Sequence, residues 1–229
     1  MDQIFAANVQ RYDSKVVDSY LLEPVHADRI RQVADLVMSL SSGSALSVAE
    51  FGAGGHPLIE QMPRAWQDVN QYVVVDGMPT HNCSAVIANL SCDLPLASNA
   101  FDLIVAMDII EHIFDTRRFL TECYRVLKPH GRLMVTTPNL ATLQDRLRFL
   151  LGRAPRQCSP LHEYLHLHIR PFTLSSLKES LSLSGYEVEA VRTSGLVWRW
   201  HGTHRITRRP GVMTGLGTNL IVQARKRGV

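Results

Sequence analysis

The chain has 229 residues, 45% of them apolar, 20% charged and 7% aromatic, with a formal net charge of +3. That profile fits one generous globular domain and excludes a disordered, collagen-like or low-complexity scaffold. No apolar run reaches the roughly eighteen residues of a membrane span, and the start, MDQIFAANVQRYDSK, lacks the basic-then-apolar order of an export signal.

In chain order, residues 26–40 (HADRIRQVADLVMSL) place Ile30, Val33, Ala34, Val37 and Met38 at helical spacing, and Ser41-Ser42-Gly43-Ser44 ends that helix. Residues 1–43 therefore read as an N-terminal helical extension and 44–229 as the main domain. ALSVAEF (45–51) reads as a buried strand that stops at glycines, with a helix expected beyond them. YVVVD (72–76), SAVIAN (84–89) and FDLIVAMD (101–108) are short β-branched runs of the parallel-sheet kind. TRRFLTECYRVLK (116–128) puts Phe119, Leu120, Cys123, Val126 and Leu127 on one helical face, Pro129-His130-Gly131 breaks it, and RLMVTTP (132–138) follows as a strand. LATLQDRLRFLLG (140–152) and LSSLKESLSLSG (174–185) read as helices, YEVEAV (186–191) and TNLIVQARK (218–226) as strands. Repeated alternation of strand and helix predicts a doubly wound α/β sheet.

The glycine loop Glu50-Phe51-Gly52-Ala53-Gly54-Gly55-His56 lets bare backbone approach a ligand. A dinucleotide fingerprint would need a glycine where Pro57 stands, which counts against a nicotinamide-dependent oxidoreductase. Glu50 ends the first strand and Asp76 the second, the edge at which open α/β sheets bind ligands. A carboxylate at the first position suits a cationic ligand, and one at the second can accept both hydroxyls of a ribose.

The order EFGAGG, Asp76, LPLASNAFDLIVAMDIIEHI (94–113), RVLKPHGRLMVTTPN (125–139) and HIRPFT (168–173) resembles the class I S-adenosylmethionine-dependent methyltransferases. Within them it is most similar to the ubiquinone-pathway and sugar- or lipid-modifying branch. The resemblance implies a mostly parallel, seven-stranded Rossmann-like sheet with an antiparallel last strand, and S-adenosylmethionine as cofactor. It further implies that Gly52, Ala53 and Gly54 line the methionyl part, with Glu50 holding the loop and amino group. Asp76 would grip the ribose, Gly77, Met78, Asn89 and Leu90 would lie by the adenine, and Met107 would flank the sulfonium. His56 stands in place of the third motif glycine, Asn89 in place of an acid, and the Asp76-to-Cys83 connection is short for a helix.

Glu111-His112 follows the fourth strand beside the expected transfer point. His112 is the candidate base for an acceptor hydroxyl and Asp108 a second candidate; a helix-start pair bonded to local backbone is the alternative. His162-Glu163-Tyr164-Leu165-His166 matches the HExxH zinc signature, a pattern chance supplies in about one such chain in sixty. Pro160 and Pro171 limit a helix there and no third ligand is in place, so no metal is expected and a zinc hydrolase is set aside.

On the acceptor side, residues 139–170 read as an active-site cover and 196–217 as a basic, aromatic insertion carrying Trp198 and Trp200. Arg146, Arg148, Arg153 and Arg156 among the leucines of 143–156 make peripheral membrane contact conceivable. The last 40 residues carry +8 and no acid. With no RNA-binding module attached, the expected acceptor is a small molecule, glycan or lipid-linked glycan rather than nucleic acid. A non-catalytic cofactor-binding module remains an alternative. Cys83, Cys92, Cys123 and Cys158 form no CxxC pair, so reduced thiols and a cytoplasmic protein are expected.

Overall fold

A computed structural model describes residues 24–41, 44–68, 70–79, 83–158, 168–200, 203–207 and 214–228, with main chain only at 24–25, 196–200 and 203–207. Helix α1 (Pro24–Leu40) is followed by β1 (Ser47–Phe51), α2 (Arg64–Gln67), β2 (Gln71–Asp76), β3 (Ser84–Ile87) and β4 (Phe101–Met107). Then come α3 (Thr116–Val126), β5 (Leu127–Pro138), α4 (Leu143–Leu150), α5 (Leu174–Leu183), β6 (Tyr186–Thr193), β7 (Leu196–Trp200), β8 (Thr203–Thr207) and β9 (Asn219–Lys226).

Seven strands form one sheet in the order β3-β2-β1-β4-β5-β9-β6. β1 to β5 pair in parallel, while β9 runs antiparallel to both β5 and β6. The doubly wound, mostly parallel, seven-stranded Rossmann-like sheet expected from the sequence is therefore present. Period-2 alternation sends each strand's side chains into two cores. Ala49, Phe51, Ile104, Leu133 and Val135 pack with Phe119, Leu120 and Cys123 of α3 and Leu177 and Leu181 of α5. Val48, Val74, Leu103, Val105 and Met134 pack on the opposite face with Val33, Ala34 and Val37 of α1. The N-terminal helix thus supplies one layer of the sheet's own core.

Two local readings need correction. The helix expected after the glycine loop is only a 3₁₀ turn, Leu58–Gln61, and the four-residue α2. Pro57 and Pro63 stand immediately before these two turns, and the lack of an N–H at Pro63 prevents one continuous helix. β5 begins at Leu127 rather than at Arg132, because the chain leaves α3 directly into the sheet and absorbs Pro129-His130-Gly131 in a register shift opposite Phe101–Leu103. Strands β7 and β8, which fall in sequence between β6 and β9, pair antiparallel with each other apart from the main sheet.

Candidate active site

The C-terminal ends of the parallel strands β1 to β4 lie on one edge of the sheet, and the candidate residues lie at those ends or on the segments that leave them. Beyond β1, Gly52, Gly54 and Gly55 all have positive φ, at 74°, 60° and 87°, a conformation that disfavours side chains. A Cβ on Gly52 would run into Ile109, whereas one on Gly54 or Gly55 would meet nothing within 4 Å. The loop therefore leans on the β4 exit at its base and opens at its tip. Ala53 is half-buried against the α1-side core.

Glu50 is fully buried at the root of this loop. Its Oε2 accepts a hydrogen bond from the Leu58 amide at 2.8 Å and another from the Tyr72 hydroxyl, while Oε1 has no partner. Burial pushes its carboxyl up from 4.5 to about 7, the bonds from Tyr72 and Leu58 pulling only partly the other way. Asp76, buried at the end of β2, accepts from the Gly54 amide at 3.0 Å and the Met78 amide at 3.1 Å. It fastens the glycine loop to the Gly77–Met78 bend, and its main-chain oxygen accepts from Ala88 at 2.9 Å. That last bond draws in the segment after β3, where the Asn89 side chain caps its own turn through the Ser91 amide and Leu90 is buried.

At the β4 exit, Met107 is half-buried and Asp108 takes the left-handed conformation, φ 52°. The Asp108 carboxylate accepts from the Arg29 guanidinium of α1 and from the Thr136 hydroxyl, the latter at 2.8 Å. The next 3₁₀ turn, Ile110–His112, buries Glu111 and His112. Glu111 accepts from Thr137 Oγ1 at 2.9 Å, and its main-chain oxygen accepts from the Arg170 amide at 3.0 Å. Burial, with the Asp108 charge second, raises its carboxyl well above the usual range. The His112 ring meets the His168 ring edge-on at 4.9 Å and 79°, and His168 Nδ1 lies 3.1 Å from Gln157 Oε1. One donor atom each from Glu111, His112 and His168 lies within 4.8 Å of the others, a carboxylate–imidazole set suited to a divalent metal.

All twelve sequence-selected residues thus lie at the C-terminal ends of β1, β2 and β4 or on the segments that leave β1 to β4. Sequence reasoning missed Arg29, Tyr72, Thr136, Thr137, Gln157 and His168. Arg29 carried a signal, since it sits four and eight residues before Val33 and Val37 on the apolar face of α1. His162, Glu163 and His166 lie outside the described residues, as do the side chains of Trp198 and Trp200.

A sheet with this strand order, a glycine loop after β1 and an acid after β2 defines the Rossmann-like methyltransferase class. A methyltransferase-domain family matches residues 25–191. The human mitochondrial ubiquinone biosynthesis O-methyltransferase is 31% identical over 170 residues, covering 68% of this chain and 46% of that protein. The ubiquinone biosynthesis O-methyltransferase of Dinoroseobacter shibae is 31% identical over 135 residues, covering 52% and 54%. In fold, the CurJ carbon methyltransferase superposes with TM-score 0.65 at 14% identity, covering 94% of this chain and 59% of that one. The 1,6-didemethyltoxoflavin-N1-methyltransferase of Burkholderia thailandensis, solved with S-adenosylhomocysteine, gives 0.62 at 16%, covering 98% and 88%. The chain belongs to the class I S-adenosylmethionine-dependent methyltransferases. It spans 28% to 54% of the length of the curated relatives it matches. No helix among the described residues is long and apolar enough to cross a membrane.

The site fits the family's cofactor, S-adenosylmethionine. Main chain without side chains borders open space at Gly54 and Gly55, and a buried carboxylate oxygen of Glu50 lacks a donor.

Proposed function

We propose that this chain methylates a hydroxyl of a small molecule, glycan or lipid-linked glycan, with His112 as the base. The observation that carries the reading is a buried imidazole placed just past β4, its ring braced edge-on by His168. The cofactor supplies a methyl group on an electrophilic sulfonium, so the protein's task is to align the acceptor, exclude water and remove a proton. Gly52, Ala53 and Gly54 would hold the methionyl part and Glu50 Oε1 its ammonium. Asp76 has lone pairs left for the ribose; Gly77, Met78, Asn89 and Leu90 would border the adenine, and Met107 the sulfonium. Asp108 is engaged by Arg29 and Thr136, which favours a holding role for its carboxylate over proton transfer. Glu111, whose burial favours the neutral form, leaves His112 as the group suited to accept a proton near neutral pH. That relatives with an oxygen acceptor, the ubiquinone biosynthesis O-methyltransferases, match 68% and 52% of the chain supports the reading. The four free thiols support a reducing, cytoplasmic setting.

The test is transfer of a tritiated methyl group to fractionated cell extract. Label is expected in the small-molecule, lipid or glycan pool. His112→Gln should lower it by about 10² or more with cofactor affinity intact. Label in RNA or protein, or full turnover by the variant, contradicts the assignment.

A further inference from the structure

Helix α4 turns its apolar side chains outward. Leu147 is 47% exposed, Phe149 71%, Leu150 80% and Leu151, one residue past the helix, 75%. Exposed large apolar groups elsewhere in the described chain, such as Ile87, Phe114 and Leu183, are scattered singly, which is ordinary, whereas four within five residues form a patch. Around it stand Arg146, Arg148, Arg153 and Arg156. The single acid between residues 143 and 158, Asp145, is buried and lies 3.8 Å from Arg148 and 3.4 Å from Arg156. Arg146 rests on the carbonyls of Ala141, at 2.8 Å, and Gly215, at 3.4 Å. Among the described residues neither Arg146 nor Arg153 is paired with a carboxylate. The segment therefore carries a net +3 around an apolar tip, with no exposed acid.

We propose that the α4 tip docks on the surface of a bilayer bearing anionic headgroups. Phe149, Leu150 and Leu151 enter the boundary between headgroups and acyl chains, and the arginines bind lipid phosphates. An apolar tip flanked by four guanidinium groups, two of them without a carboxylate partner and the other two sharing one buried acid, complements an anionic lipid surface, where a protein partner would have to bring its own acids and its own apolar groove. The element is linked to the site: Arg156 binds Gln144 of α4 at 2.5 Å, and neighbouring Gln157 reaches His168, which braces His112. Docking would bring the site's mouth to the membrane, where a lipid-linked acceptor presents its hydroxyl; that consequence rests on the proposed O-methylation, while docking itself does not.

The test is co-sedimentation of the purified full chain with vesicles of phosphatidylcholine alone or mixed equally with phosphatidylglycerol. The chain should bind the anionic vesicles, weakly bind the neutral ones, and release with added salt. Phe149→Glu with Leu150→Glu should lower binding about tenfold or more. Arg153→Glu should weaken it, and Leu183→Glu, an equally exposed leucine on α5, should leave it unchanged. Calorimetric affinity for S-adenosylmethionine should hold in every variant, which separates loss of docking from loss of fold. Failure to sediment with anionic vesicles, equal binding to both vesicle types, or wild-type binding by the double variant overturns the proposal. A concentration-dependent dimer abolished by the same double variant also overturns it, since a second copy would then cover the patch. Methyl transfer to a water-soluble acceptor fraction reports on the chemistry separately.

Discussion

Glu50→Gln tests whether the acid at the root of the glycine loop is held at an energetic cost. Its carboxyl is pushed to about 7 against 4.5 for an exposed glutamate, chiefly by burial. A pKa raised in the folded state means that the folded chain binds the proton more tightly, so stability present below about pH 4.5 is lost as pH rises towards 7. At about 1.4 kcal/mol per unit, the loss between pH 5 and pH 8 is about 2–3 kcal/mol. Glutamine keeps an oxygen for the Leu58 amide and carries no charge, so the variant lacks this loss. Its stability relative to the natural chain should improve by that amount across the window, about 5–10 °C in Tm for a chain of this size. His26 acts in the opposite sense: burial lowers it to about 4, so its contribution is present above pH 6.5 and lost as pH falls through 4. The natural chain's pH profile sums these groups with others such as Glu111, and subtracting it from the variant's profile isolates Glu50. Thermal unfolding of the two proteins at pH 5 and pH 8 provides the measurement. A Tm difference independent of pH would refute the burial argument.

Three further outcomes follow from the packing. Gly52→Ala adds a methyl against Ile109 at φ 74°, and the left-handed backbone plus overpacking should cost about 2–4 kcal/mol, read by urea unfolding. Arg29→Met leaves the Asp108 charge without its guanidinium and should destabilise by about 3–5 kcal/mol, whereas breaking an exposed pair such as Arg118–Asp93 should leave stability nearly unchanged in the same assay. Cys92 and Cys158 are exposed and Cys123 is buried with its thiol pushed far up by burial, so two thiols should react rapidly with a disulfide reagent and Cys123 only on unfolding.

Much of the sheet was legible because β1, β2, β4 and β9 are short, predominantly apolar runs that end at a glycine, an acid or a base. The glycine loop and Asp76 were legible for the same reason, since each terminates such a run. The missing helix after the loop shows a local rule losing to a pattern: Pro57 and Pro63 were visible, but strand-glycine reads naturally as the start of a helix. Arg29–Asp108 and His112–His168 were not legible, because their partners lie 79 and 56 residues apart and nothing local specifies them. The left-handed turn at Asp108 likewise depends on Thr136 and Arg29 reaching it from other elements.

The central claim is that the loop between Glu50 and Gly55, fastened by Asp76, is a binding site for S-adenosylmethionine. Titration calorimetry of the purified chain with S-adenosylmethionine and S-adenosylhomocysteine tests it most directly. The account predicts micromolar binding of both. Asp76→Ala removes the acceptor of the Gly54 and Met78 amides and the proposed acceptor of the ribose hydroxyls, and should weaken binding by about 1.5–3 kcal/mol, roughly ten- to a hundredfold. Absence of heat with either compound, or unchanged affinity in Asp76→Ala, would contradict it.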